Sequence, residues 1–143
     1  QVGGSTALLD AIGSTIHKIS NAQKHTAEEY RAEKVMFVII TDGEENSSRE
    51  YSAEKVKVQI ERQKSKYNWE FIFLGANIDA VHTAKQFGIG EDRAMDYIAD
   101  SEGTALSYSV MIDVVSEYRK KTTISDKHFD EIRKDVKKRG KKR

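Results

Sequence analysis

Val35-Met36-Phe37-Val38-Ile39-Ile40-Thr41-Asp42-Gly43-Glu44-Glu45-Asn46 decides the fold. The stretch from Val35 to Ile40 is apolar and mostly β-branched or aromatic. Such a run reads as a strand covered on both faces, as in a parallel sheet. It stops at an acidic residue followed by glycine, which puts a carboxylate at the strand's carboxyl end. In open α/β sheets that end is where ligands bind. Upstream lies Gly3-Gly4-Ser5-Thr6-Ala7-Leu8-Leu9-Asp10-Ala11-Ile12, a glycine turn presenting hydroxyls just before a helix. A hydroxyl and a carboxylate converging on one strand end suit a hard cation.

Outward from that pair the periodicity alternates. Leu8, Leu9, Ile12, Ile16 and Ile19 recur at helical spacing, which predicts a helix over 7–25. Thr26-Ala27-Glu28-Glu29 has the form of a capping box, so a short helical turn should precede the strand. Ser52 is a good N-cap for a helix in which Val56, Ile60, Gln63 and Tyr67 share a face. Trp69 to Leu74 predicts a second buried strand, with Gly75-Ala76-Asn77 as a tight turn at its end. A short helix over 79–87 closed by Gly88 follows, then a weaker strand over 94–99. Ser101 is expected to cap a helix with Ala105, Tyr108, Ile112 and Val115 as its stripe. Ser125 is expected to cap a last one carrying Phe129, Ile132 and Val136. Helices alternating with strands predict an α/β fold, a doubly wound parallel sheet with right-handed crossovers.

Composition narrows the classes. The chain of 143 residues has 38% apolar residues, enough for one modest core. Lys plus Arg number 24 and Asp plus Glu 23, so overall charge selects no partner. The distribution is uneven: Arg119 to Arg143 holds twelve basic and four acidic residues, leaving twelve against nineteen before it. Such a tail is either a solvated, partly disordered end or a basic arm for nucleic acid. Lys137-Lys138-Arg139-Gly140-Lys141-Lys142-Arg143 lacks interleaved aromatics, so any nucleic-acid binding would be blind to sequence. The composition shift sets the expected organisation: a domain over 1–120 and a basic tail over 121–143, helical or disordered. Absence of cysteine removes disulfides and thiolate zinc sites. No apolar run approaches the ~20 residues of a membrane span, so no membrane partner is expected.

Gly3-Gly4-Ser5-Thr6-Ala7-Leu8-Leu9-Asp10-Ala11-Ile12 followed by Val38-Ile39-Ile40-Thr41-Asp42-Gly43-Glu44-Glu45-Asn46 closely resembles the second half of a von Willebrand factor A-type domain. The likeness covers roughly residues 1 to 120. Trp69 to Asn77 and Ala99-Asp100-Ser101-Glu102-Gly103-Thr104 are similar to the later strands of its cytoplasmic, bacterial or phage branch, so a cytoplasmic location is implied. The resemblance implies a metal-ion-dependent adhesion site for Mg²⁺ or Mn²⁺, built from three loops. Thr6 matches the second loop and Asp42 the third. The first loop's Asp-x-Ser-x-Ser occurs nowhere in the chain, and Asp100-Ser101 lies too far downstream to stand for it. With Gln1 as its first residue, the chain is expected to be a piece of the domain lacking the first strands, with weak or absent metal binding. In the family the ion keeps one position open for an Asp or Glu of a protein partner. The rim of such a site would fall to Ser5, Gly43, Glu44, Glu45, Asn46, Asn77 and Ser101.

The residues themselves leave alternatives open. Asp42 either binds a cation or caps its turn, since Asp-Gly is a common turn pair. Thr6 either coordinates or N-caps the following helix, and Ser5 competes for both tasks. The rim residues read equally as ordinary polar loop positions. Catalysis has no candidate: Asp42-Gly43 lacks a second aspartate and a lysine for phosphoryl chemistry. His17, His25, His82 and His128 show no zinc spacing. Without its expected neighbour, the apolar strand over 35–41 becomes an edge, a template for self-association into a homo-oligomer or aggregate.

Overall fold

The apolar run forms a strand that ends at the aspartate. The computed structural model of the protein describes residues 7–30, 34–43, 48–121 and 123–140. Among the described residues there are five α-helices and one three-stranded sheet: α1 (Leu8–Lys24), β1 (Met36–Asp42), α2 (Ala53–Tyr67), β2 (Glu70–Ala76), α3 (Ala80–Gln86), β3 (Ala94–Asp96), α4 (Ser101–Lys121) and α5 (Lys127–Gly140). The strands lie in the order β1-β2-β3 and are all parallel, Met36 opposite Glu70 and Asp42 opposite Ala76. A 3₁₀ turn, Glu28–Tyr30, stands where the capping box predicts a helical turn, and a second, Glu91–Arg93, precedes β3.

Local chemistry explains most of the ends. Ser52 accepts from the Lys55 N–H and starts α2, and Asn68 ends it in the left-handed region. Asp79 accepts from the His82 N–H at the start of α3. No helix among the described residues is long and apolar enough to cross a membrane.

Each face of the sheet has its own core. On one side α1, α2 and α3 bury Leu9, Ile12, Ile16, Val56 and Ile60 against Ile39, Phe71 and Phe73. Phe71 stands between Phe37 and Trp69, with ring centroids 5.5 and 6.0 Å away. On the other side α4 and α5 bury Val110, Val114, Phe129 and Ile132 against Ile72, Leu74 and Met95. Successive residues of β2 point to opposite faces, so odd positions serve the first core and even positions the second.

Several expectations need correction. Gly75 and Ala76 belong to β2, paired with Thr41 and Asp42, so the turn begins only at Asn77. The third strand stops at Asp96, three residues before the predicted end, because the chain must turn into α4 at Asp100. Tyr67 is exposed, whereas Val56, Ile60 and Gln63 of α2 are buried. The cap of α4 is the Asp100 carboxylate, which accepts from the Gly103 N–H at 2.7 Å; Ser101 is already helical. Its buried face runs through Gly103, Ser107, Val110, Met111, Val114 and Tyr118, leaving Tyr108 and Ile112 outside. Gly103 sets this rotation: a Cβ there would lie 1.9 Å from the Ile98 carbonyl oxygen, so only glycine lets α4 approach so closely.

Residues 127–140 form a helix that packs into the second core. Phe129 is fully buried, and Arg93 reaches both Glu70 and Asp126 at 2.8 Å while lying over the Phe129 ring. Glu117 of α4 accepts from the Ser125 N–H, closing the connection between the last two helices. Phe129→Ala should therefore destabilise the whole sheet by about 3 to 5 kcal/mol, the usual cost of emptying a buried aromatic site. Urea unfolding followed by Trp69 fluorescence checks it. An unchanged midpoint would mean that α5 contributes nothing to the core.

Candidate functional site

Parallel pairing brings the carboxyl ends of the strands to one rim of the sheet. Asp42 ends β1 there, exposed to solvent, and Asn77 follows β2. The Asn77 amide donates to Asp42 Oδ1 at 2.5 Å, so two residues far apart in sequence meet at the strand ends. Asn77 can do this because it sits in the left-handed region (φ 60°), which asparagine tolerates better than most residues. Gly43 donates its N–H to the Ala76 carbonyl at 2.9 Å and then turns away at φ 105°, a conformation that favours glycine.

The rim is completed by residues that the sequence reading did not single out. Tyr97, just past β3, lies close to Asp42; burial pushes its hydroxyl above the usual tyrosine range, and the charges of Asp42 and Tyr108 add to this. Asp96 is turned inward, where its Oδ1 accepts from the Ala80 N–H at 3.0 Å. A cavity of about 340 Å³ opens beside them, lined by Asn77, Ile78, Asp96, Tyr97 and Ile98 with Val136 and Gly140 of α5. A second, of about 360 Å³, lies between Gly43 and the first turn of α1, Leu8 and Leu9. The helix that follows Thr6 thus begins beside the glycine that follows Asp42.

Asp10 holds this neighbourhood in place. Its carboxylate accepts three successive backbone N–H groups, from Arg49, Glu50 and Tyr51, each at 2.9 Å. Its own N–H donates to Ser48 Oγ at 2.9 Å. The loop leaving β1 is thereby tied to the first turn of α1, and the Tyr51 ring lies on α1 at Gly13. The Arg49 N–H contributes most to holding the Asp10 carboxyl below the usual aspartate range, and burial opposes it. An acidic residue in a helix's first turn was the only trace of this clamp in the sequence. Its partners come from a segment about forty residues away, as a loop-to-helix tertiary contact must.

The expected site residues divide cleanly. Asp42, Gly43 and Asn77 come together at the strand ends. Ser101 is exposed at the start of α4, and among the described residues no hydrogen bond joins it to Asp42 or Asn77. Thr6, Ser5, Glu44, Glu45 and Asn46 lie outside the described residues. The described donors, one exposed carboxylate and one side-chain amide, are of the oxygen type that Mg²⁺ takes with retained waters. Among the described residues no group of three Asp, Glu or His side chains is set to hold a metal ion. A cation at Asp42 would thus need a further ligand of the kind Thr6 offers.

The basic run at the end of the chain is partly committed. Arg139 pairs with Asp100 at 2.7 Å, Glu102 at 2.8 Å and Asp135 at 2.5 Å. Lys137 and Lys138 are exposed, and residues 141–143 lie outside the described residues.

Comparison with protein-family models, with curated proteins and with solved structures finds no match to this chain.

The depressed Asp10 carboxyl carries a sign. Its stabilising contribution is present above the unfolded-state pKa and is lost as pH falls through the lower folded-state value. Asp10→Asn should lower the urea midpoint at neutral pH, and the gap to the unmodified chain should shrink as pH is taken into the acid range below the usual aspartate value. A gap independent of pH would rule out the carboxylate clamp as its cause.

Proposed function

We propose that the chain is the carboxyl-terminal part of a von Willebrand factor A-like domain and serves as a Mg²⁺-dependent protein-binding module, with Asp42 and Thr6 as its metal ligands. The observation that carries this reading is Asp42 itself: an exposed carboxylate at the carboxyl end of a parallel strand, steadied by Asn77, beside the start of the helix that follows Thr6. The all-parallel order β1-β2-β3, with helices on both faces, supports the doubly wound form of the fold.

The residues divide the work. Asp42 offers the anionic oxygen, and Asn77, bonded to one carboxylate oxygen, limits how that group can rotate. Asp10 fixes the loop after β1 against α1, so that the two candidate ligand segments keep one relation to each other. Tyr97 and the adjoining cavity supply a partly apolar rim for a partner's side chain. Mg²⁺ or Mn²⁺, when bound, would supply the charge that draws an Asp or Glu of a protein ligand. Two protein ligands leave most of the coordination sphere to water and partner, so affinity for the ion alone is expected to be weak.

Calorimetric titration with Mg²⁺ and Mn²⁺ tests this reading. The expected result is weak binding that is lost in both Asp42→Ala and Thr6→Ala and reversed by EDTA. Binding that survives Asp42→Ala, or no binding at all, would overturn the metal-dependent assignment for this chain.

A further inference from the structure

Asp42 and Asn77 meet because the main chain is held on both sides of the contact. The Gly43 N–H donates to the Ala76 carbonyl at 2.9 Å, which ties the end of β1 to the end of β2. Asn77 follows at once, in the left-handed region at φ 60°. Beyond it the turn is fastened twice. Ile78 lies over Gly75, where an added Cβ would stand 2.8 Å from the Ile78 Cδ1. The Ala80 N–H donates to Asp96 Oδ1 at 3.0 Å. With its backbone fixed in this way, Asn77 sets its amide against Asp42 Oδ1 at 2.5 Å in the chain alone, with no ion needed. A hydrogen bond to an ionised oxygen is about twice as strong as a neutral one.

The two oxygens of Asp42 are therefore unequal. Oδ1 holds the Asn77 amide, and among the described residues Oδ2 accepts no hydrogen bond. Hard cations differ in how they use such a group. Ca²⁺ gathers about 6 to 8 oxygens in a flexible shell and readily takes both oxygens of one carboxylate. Mg²⁺ demands a near-octahedral shell and keeps several waters. The short bite of a carboxylate spans far less than a right angle, so an octahedral ion takes one of its oxygens. We infer that Asn77 sets the ion selectivity of this rim: by holding Oδ1 it confines Asp42 to binding through Oδ2, which suits Mg²⁺ or Mn²⁺ and denies Ca²⁺ the two-oxygen mode. Asn77 acts through Asp42 and is a positioning residue. The inference rests on the metal-dependent reading above and names what discriminates between ions at that same site.

Asn77→Gly removes the amide and keeps the turn, since glycine adopts the left-handed region without strain. NMR titration of the isotope-labelled chain with MgCl₂ and, separately, with CaCl₂ gives the affinity for each ion from the Gly43 backbone amide. The same spectra follow the Asn77 side-chain amide. In the unmodified chain Mg²⁺ should bind more tightly than Ca²⁺, and the Asn77 amide should remain bonded to Asp42 as Mg²⁺ saturates the site. Asn77→Gly should raise the Ca²⁺ affinity relative to that for Mg²⁺ about tenfold, the scale of one hydrogen bond to a charged group. The ratio is the telling quantity, because a general loosening of the fold weakens both ions alike. An unchanged ratio, or an Asn77 amide released as Mg²⁺ binds, overturns this inference and leaves the metal-dependent reading standing. Binding of neither ion to the unmodified chain overturns both.

Discussion

β2 has to hide both of its faces and both of its edges. Among the described residues it is the only one of the three strands with a neighbour on each side, and from Phe71 to Ala76 every residue is buried. Because β1 and β3 both run parallel to it, neither link can be a hairpin; each needs a crossover. The chain moves across the sheet in one direction through β1, β2 and β3, and right-handed crossovers then put α2 and α3 on the same face. They join α1 there and fill the first core. The opposite face would be bare after β3, and α4 returns across it, with α5 packed against its flank. All three strands consequently end at the same rim. The meeting of Asp42, Asn77 and Tyr97 is a consequence of that shared direction.

Where the sequence was legible, a single physical cause governed the outcome. Val35 to Ile40 and Phe71 to Leu74 are apolar without alternation, as a strand covered on both faces requires, and their β-branched and aromatic residues favour strand over helix. Ser52 and Asp79 begin helices by local hydrogen bonds that need no knowledge of the rest of the chain. α4 was misread because two causes competed. Ala105, Tyr108, Ile112 and Val115 make one stripe at helical spacing; Val110, Met111, Val114 and Tyr118 make another. Periodicity cannot choose between them. The choice falls to Gly103 and Ser107, small residues whose value is the space they leave for Ile98 and the neighbouring backbone. The site shows the same division. Asp42 was legible from its place at the end of a strand, but Asp10, Asn77 and Tyr97 owe their roles to partners that only the folded chain brings near.

The charge asymmetry has a partly internal answer. The sequence sets a basic end against an acidic body, and Arg139 joins the two by pairing with Asp100 and Glu102 at the start of α4. Those carboxylates also lie at the N-terminal end of a long helix, where negative charge is favoured. Arg139 shares the same corner with Asp135, and its hydrogen bonds to Asp135 first and Asp100 second hold its guanidinium above the usual arginine range. Individual exposed pairs contribute little to stability. Their effect is geometric: the end of α5 is directed to the start of α4, beside the cavity that Val136 and Gly140 help to line. Part of the basic end is thus spoken for within the molecule, while Lys137 and Lys138 are exposed.

Strand parity fixes what each residue of β1 brings to the rim. Thr41 is odd, buried under the first core, with its backbone turned to β2; Asp42 is even, exposed, with its backbone turned outward. Exchanging these two positions would bury a carboxylate without a partner, at a cost of several kcal/mol, so the alternation admits Asp42 only on the side it occupies. The consequence is that Asp42 belongs to two surfaces at once. Its side chain sits at the mouth of the sheet, where Asn77 bonds to it, and its backbone lies on the side of β1 turned away from β2. A slip of β1 along β2 by one residue would turn this carboxylate to the other face and break its bond to Asn77, so the register that fills the two cores is the same one that sets the rim.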